Sequence, residues 1–264
     1  MKYKNLLLLI IFNFYFITAS SITWSLEAKK WTEHKSEHFI IYYRTAPKDF
    51  VKTVEKSAEI YYKEITRNLG FNRFHSWTWD RRAKIYIYDD KEDYHQSGKF
   101  EWSHGVAFSR AKVIETYPSA HGFFDTILPH EIGHIIFREF VGFRARIPTW
   151  FEEGVAMNQE KAKRWGADKV VAKAIADETF IPLTDLSQVH LNRFTSKDTV
   201  KLFYAESASI VSFMINKGGK HKFVRFCRKL KDGDPFEWVF EKVYLQYRSI
   251  ERLNKSWVKY LQDQ

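Results

Sequence analysis

Cysteine is nearly absent. Cys227 stands alone in 264 residues, so the chain builds neither a disulfide framework nor a cysteine-based metal cage. Proline and glycine are also scarce, at 6 and 11 residues. With 45% apolar and 17% aromatic residues, that composition excludes disordered, collagen-like and coiled-coil chains. No repeat or low-complexity tract is visible. The net charge of +10 is spread without a long basic run, and Arg225, Arg228, Lys229 and Lys231 sit in no nucleic-acid motif. The surplus therefore reads as a solvated surface, and no nucleic-acid partner is expected.

One long uncharged run is present, and it lies at the N-terminus. Lys2 and Lys4 precede Leu6–Ile17, and the small residues Thr18-Ala-Ser-Ser21 follow. This is the pattern of a secretory signal peptide cleaved after Ser20, which would remove two of the positive charges. The competing reading is a membrane anchor reaching about residue 26. Either places the protein outside the cytoplasm: exported, in the envelope or secreted, with attachment through the N-terminus as the second option.

The remaining chain, residues 21–264, is long enough for one domain of ordinary size. His38–Arg44 and Ala83–Tyr88 are β-branched and aromatic runs, hence strands. Between them, apolar residues at Val51, Val54, Ala58, Tyr61, Tyr62 and Ile65 have helical spacing, with Gly70 as the stop. Gly105–Phe108 and Val113–Tyr117 are shorter strands about a turn at Ser109–Lys112. From Phe123 onward the period is helical, with helices expected near 125–140, 150–163, 168–177, 199–217, 220–231, 235–243 and 248–262. The fold class is α+β: a mixed sheet with a helix over 21–122, then a mainly helical half over 123–264. Cys227 is expected to be a buried small hydrophobe.

His130-Glu-Ile-Gly-His134 carries the chemistry. On a helix, residues four apart are separated by about 6 Å of rise and roughly 40° of rotation, so both imidazoles reach one ion. Zn²⁺ accepts neutral imidazole nitrogen, and catalytic sites pair three protein ligands with one open position. Glu131 lies beside that position, where it can accept a proton from water. Glu153, 18 residues past His134 in Trp150-Phe-Glu-Glu-Gly-Val-Ala156, is the candidate third ligand. A second helix packed on the first would deliver it. Gly154 costs up to about 1 kcal/mol inside a helix, which points to a close helix–helix approach beside the metal.

His130-Glu131-x-x-His134, followed by Glu153-Gly154-x-Ala156, resembles the gluzincin metallopeptidases of the thermolysin and aminopeptidase N type, in the peptidase MA-like superfamily. The resemblance covers about 128–157. It implies a zincin-type helical half with the active site in a cleft against the sheet. It implies one catalytic zinc on His130, His134 and Glu153, Glu131 as general base and later acid, and a peptide or protein substrate. Gly105-Val-Ala, Tyr204 with Ser207, and Gly218-Gly219 are similar to the exported bacterial branch. Thermolysin-like enzymes place an aspartate four residues after the glutamate ligand to steady a zinc histidine; here that position is Met157. The Gly-Ala-Met-Glu-Asn signature of aminopeptidase N is absent.

Peptide hydrolysis also needs a donor for the developing oxyanion. Tyr204 is the candidate, with Tyr117 and His121 behind it and core packing as the ordinary role of such aromatics. Gly105–Phe108 or Val113–Thr116 is a candidate edge strand for pairing with an extended peptide. Two alternatives stay open at this point: a non-catalytic zinc-binding envelope scaffold, and a zinc amidase acting on cell-wall peptide. The other histidines, His34, His38, His75, His95, His104, His190 and His221, show no ligand spacing. Trp77, Trp79 and Trp102 are candidates to line a groove, with core or interface packing as the ordinary role of such aromatics.

Overall fold

The computed structural model describes residues 30–70, 77–99, 103–118, 122–161, 166–192 and 195–264. The N-terminal signal or anchor segment, with His75, Trp102 and His121, lies outside the described residues. Trp31–Gln264 forms one compact unit. Among the described residues, no helix is long and apolar enough to cross a membrane.

Five strands make one sheet: β1 (Thr32–Lys35), β2 (Phe39–Tyr43), β3 (Ala83–Ile87), β4 (Gly105–Phe108) and β5 (Val113–Thr116). Their spatial order is β1-β2-β3-β5-β4, with β2, β3 and β5 parallel and the two edge strands antiparallel. Alternation decides the faces. Phe39, Ile41, Ala83, Ile85, Ile87 and Ile114 are buried on one side, while Tyr42, Lys84, Tyr86 and Glu115 occupy the other and stay partly exposed. Helix α1 (Lys48–Leu69) connects β2 to β3 and buries Val51, Val54, Ala58 and Ile65. It ends at Gly70, whose φ of 72° satisfies a left-handed C-cap that other residues adopt at a cost. Helix α2 (Lys91–Gln96) starts at Asp90, whose carboxylate accepts from Asp93 N–H.

A π-type turn at Phe123–Ile127 leads into α3 (Leu128–Val141), followed by α4 (Thr149–Met157), α5 (Ala167–Ala176), the single turn α6 (Leu183–Leu186), α7 (Lys197–Asn216), α8 (Lys220–Leu230), α9 (Phe236–Val243) and α10 (Ile250–Gln262). One hydrophobic core runs from Phe39 in the sheet to Leu261 in the last helix, and it includes Cys227. Helix α3 packs against α1, β4, α4 and α8, and α4 packs against α7, so α3 stands between the sheet and the helical layer.

The α+β reading and the expected helices stand, with local differences. The fourth helix ends at Met157 rather than 163, because Asn158 turns back and donates its side-chain amide to Gly154 O and Ala208 O. Three elements escape the sequence pattern. Strand β1 (Thr-Glu-His-Lys) has no apolar alternation and is held by its pairing with β2 and by the 2.6 Å contact of His34 Nε2 with Glu55 on α1. Helices α2 and α6 are too short to show a period. Of the two candidate edge strands, β5 is internal and β4 is the edge.

Candidate metal centre

The site is built on two helices. Helix α3 carries Pro129 in its first turn, where the missing N–H costs nothing. Its apolar residues Ile132, Ile135, Ile136 and Phe137 are buried, which turns the histidine face toward α4. The two helices touch closely at Gly133, where an added Cβ would lie 3.3 Å from Ala156 Cα. Helix α4 is pinned from behind at Gly154. A Cβ there would sit 2.2 Å from Ser207 O and 2.6 Å from Val211 Cγ2 on α7. The close approach read from Gly154 is therefore to α7, and it sets the depth of Glu153 one residue earlier.

His130 Nε2 and His134 Nε2 stand 3.0 Å apart. Glu153 Oε2 lies 3.3 Å from the first and 3.5 Å from the second. That oxygen is buried and has no hydrogen-bond partner, an arrangement that costs free energy unless something else meets it. A tetrahedral ion with bonds of about 2.0–2.1 Å spaces its ligands about 3.3 Å apart, and the three atoms match that triangle. The donor set therefore fits a zinc-type ion. The three side chains keep 14%, 13% and 19% of their surface exposed, so water can reach the centre.

Outer contacts orient the donors. His130 Nδ1 bonds Glu160 Oε1 at 2.8 Å, and Glu160 is itself buried. A carboxylate at Nδ1 holds the ring proton there and leaves Nε2 free to bind a metal. His134 Nδ1 is 3.8 Å from Glu152 Oε1, and Glu152 is held by a forked contact from Arg138. The Met157 position thus supplies no partner, and Glu160 takes that task. Its spacing of seven from Glu153 keeps the same helical face, but the helix has ended by then. The adjacent pair Glu152-Glu153 divides: one carboxylate faces the centre and the other, held by Arg138, lies beside His134.

The ionisation states follow from burial and charge. Burial lowers the pKa of both histidines, but Glu153 and Glu160 hold His130 up at about 9, and Glu153 and Glu152 raise His134 as well. Glu153 overcomes its own burial and is pushed well below the usual carboxylate range by the two imidazoles. Glu131 is raised, chiefly by burial, with the histidines opposing. Its Oε1 is 3.4 Å from where a Cβ on Gly105 would stand, which places the carboxyl between α3 and the start of β4.

Tyr204, on α7, packs against Met157, Ala167 and Ala208. Its hydroxyl is raised by burial and by the charges of Glu153, Glu131 and Glu160, so it stays protonated within reach of all three fields. Tyr117 is committed elsewhere, with its hydroxyl 2.5 Å from His104 Nδ1. Among the described residues, Glu37, His38 and Glu59 also bring ligand atoms together. There Glu59 already accepts from Ser36 Oγ, His38 N and His38 Nδ1, so that group is a satisfied hydrogen-bond network.

Residues 76–263 match the family model described as Peptidase MA superfamily. No curated protein matches.

Proposed function

Since the chain belongs to the peptidase MA superfamily, a family of metallopeptidase type acting on peptides or proteins, we propose that it is an exported zinc-dependent peptidase. His130, His134 and Glu153 hold the metal, and Glu131 serves as general base. The observation that carries the reading is the triangle of Nε2, Nε2 and orphaned Oε2 atoms at 3.0, 3.3 and 3.5 Å. Export rests on the N-terminal Lys2–Ser21 pattern.

When bound, the zinc supplies a Lewis acid that brings a coordinated water toward neutral pKa. Glu131 would accept a proton from the attacking water as its oxygen bonds the scissile carbonyl carbon, and would deliver it to the leaving amine as the C–N bond breaks. Tyr204 donates its hydroxyl proton as a hydrogen bond to the carbonyl oxygen as negative charge grows there. Strand β4 is the edge strand among the described residues, and it begins at Gly105 beside Glu131. An extended peptide laid along it gains backbone hydrogen bonds without side-chain preference.

The test is Glu131→Gln in the full chain. Zinc content by elemental analysis should equal that of the wild type, while turnover of a mixed peptide library falls about 10²–10⁴-fold. Unchanged turnover removes Glu131 from the chemistry. Failure of the wild type to take up zinc at saturating supply removes the whole reading.

A further inference from the structure

Three chain segments meet at the end of the sheet where β3 and β5 begin. The turn Trp79–Arg81 precedes β3. The β4–β5 turn lies beside it, with Lys112 Nζ donating to Arg81 O at 3.2 Å. Lys112 also pairs with Glu139 Oε1 at 2.7 Å on the last turns of α3. Just beyond α3, the Phe143 ring lies 4.9 Å from the Arg110 guanidinium.

The surface of this end is unusual in two ways. Among the described residues, six large apolar side chains are exposed, and three of them are here: Trp79 at 80%, Phe108 at 45% and Phe143 at 37%. Apolar residues scattered singly need no explanation, but a cluster does. Around them stand Arg81, Arg110, Arg144 and Arg146, all exposed and none with a carboxylate partner among the described residues. Asp80 is the acid on the same turn, and Glu139 is already occupied by Lys112 and by Trp77 Nε1. Trp79 also has φ of 58°, a region that bulky residues rarely enter. The turn that carries this strain presents the indole to solvent.

Aromatic rings set among unpaired guanidiniums match the headgroup layer of an anionic bilayer. Indole and phenyl rings settle at that depth, and arginine forks bind lipid phosphate. An acidic protein surface would meet the arginines and leave the three rings without partners. We propose that this end of the molecule docks on an anionic lipid surface, with Trp79, Phe108 and Phe143 entering the headgroup layer. Docking does not depend on the metal. If the peptidase reading also holds, there is a corollary for substrate. Strand β4 runs from Phe108 in the docked face to Gly105 beside Glu131, about 10 Å at 3.3 Å per residue. The proposed metal centre then serves peptide segments lying at or emerging from the bilayer.

The experiment uses the full chain with two vesicle types, pure phosphatidylcholine and an equal mixture with phosphatidylglycerol, both with brominated acyl chains. The emission of Trp79 is read as wild type minus Trp79→Phe. It should be quenched on the phosphatidylglycerol vesicles, with and without zinc, and should stay unquenched on pure phosphatidylcholine. High salt should reverse the quenching. Arg110→Gln with Arg144→Gln should weaken partitioning about fivefold per arginine, while zinc content and turnover of soluble peptides stay at wild-type values. Phe143→Ser should weaken partitioning too, and it reads the same surface if Trp79→Phe folds poorly. Capture through residues 1–30 alone leaves Trp79 unquenched on bound vesicles, and that result overturns the proposal. So does equal quenching on both vesicle types, or binding to polyglutamate in place of vesicles.

Discussion

In the proposed centre the metal falls to Nε2 of His130, because Glu160 occupies Nδ1 at 2.8 Å. Removing that carboxylate leaves a buried imidazole N–H with no acceptor and lets the ring choose the wrong tautomer. Glu160→Ala should weaken zinc binding about 10–100-fold, measured by competition with a chromogenic chelator. Glu160→Gln, which keeps an acceptor oxygen, should recover much of that loss, whereas a residue acting only as filler would not distinguish the two variants. That His130, His134 and Glu153 meet was legible along the chain, because helical geometry links residues 130 and 134 directly and the second helix was legible around residue 153. Glu160 was not, because its contact depends on the chain turning back after Met157, where Asn158 caps the helix against Ala208 O.

At the scale of elements, the seam between α4 and α7 decides whether Glu153 reaches the histidines. A Cβ at Gly154 would overlap Ser207 O, at 2.2 Å, and a carbonyl in a helix cannot swing aside. Gly154→Ala should therefore push α4 off α7, destabilising the fold by about 1–3 kcal/mol or more and reducing zinc retention. Thermal unfolding followed by circular dichroism, together with metal analysis, checks both effects. Gly166→Ala is the control, since among the described residues nothing lies within 4 Å of its added carbon, and it should melt close to the wild-type temperature, with only the small cost of Ala at an N-cap. The glycine in the motif announced a tight contact, but not the partner. The sheet shows the same limit. Its buried strands were legible from Phe39/Ile41 and Ile85/Ile87, whereas β1, without alternation, was found only through its pairing with β2.

For the whole molecule, the pH dependence of stability should carry the mark of Glu206, a fully buried carboxyl on α7. Burial raises it to about 8, with the Ile181 N–H bond opposing. A folded pKa above the unfolded one means that the native state holds a proton the unfolded state releases. Its contribution is fully present below the ordinary carboxylate range and is lost as pH rises toward about 8, at no more than about 1.4 kcal/mol per pH unit. Glu206→Gln removes this titration. It should melt higher than wild type at pH near 8 and about equally at pH near 4, as followed by thermal denaturation across pH. An unchanged difference across that window would mean that Glu206 is not protonated in the native state.

Local order was encoded locally. The helix bearing His130 and His134, the alternating strands and the stop at Gly70 each follow from residues within a few turns of one another, because periodicity records which face of an element is buried. Periodicity does not record what that face meets. The pairing of Glu160 with His130, the backing of Gly154 by Ser207, the placing of β4 rather than β5 at the sheet edge, and the stacking of Arg110 on Phe143 all join residues far apart in the chain. Those were settled only when the helices and the sheet closed on a common core, since contact between distant segments depends on how whole elements pack and not on the spacing within any one of them.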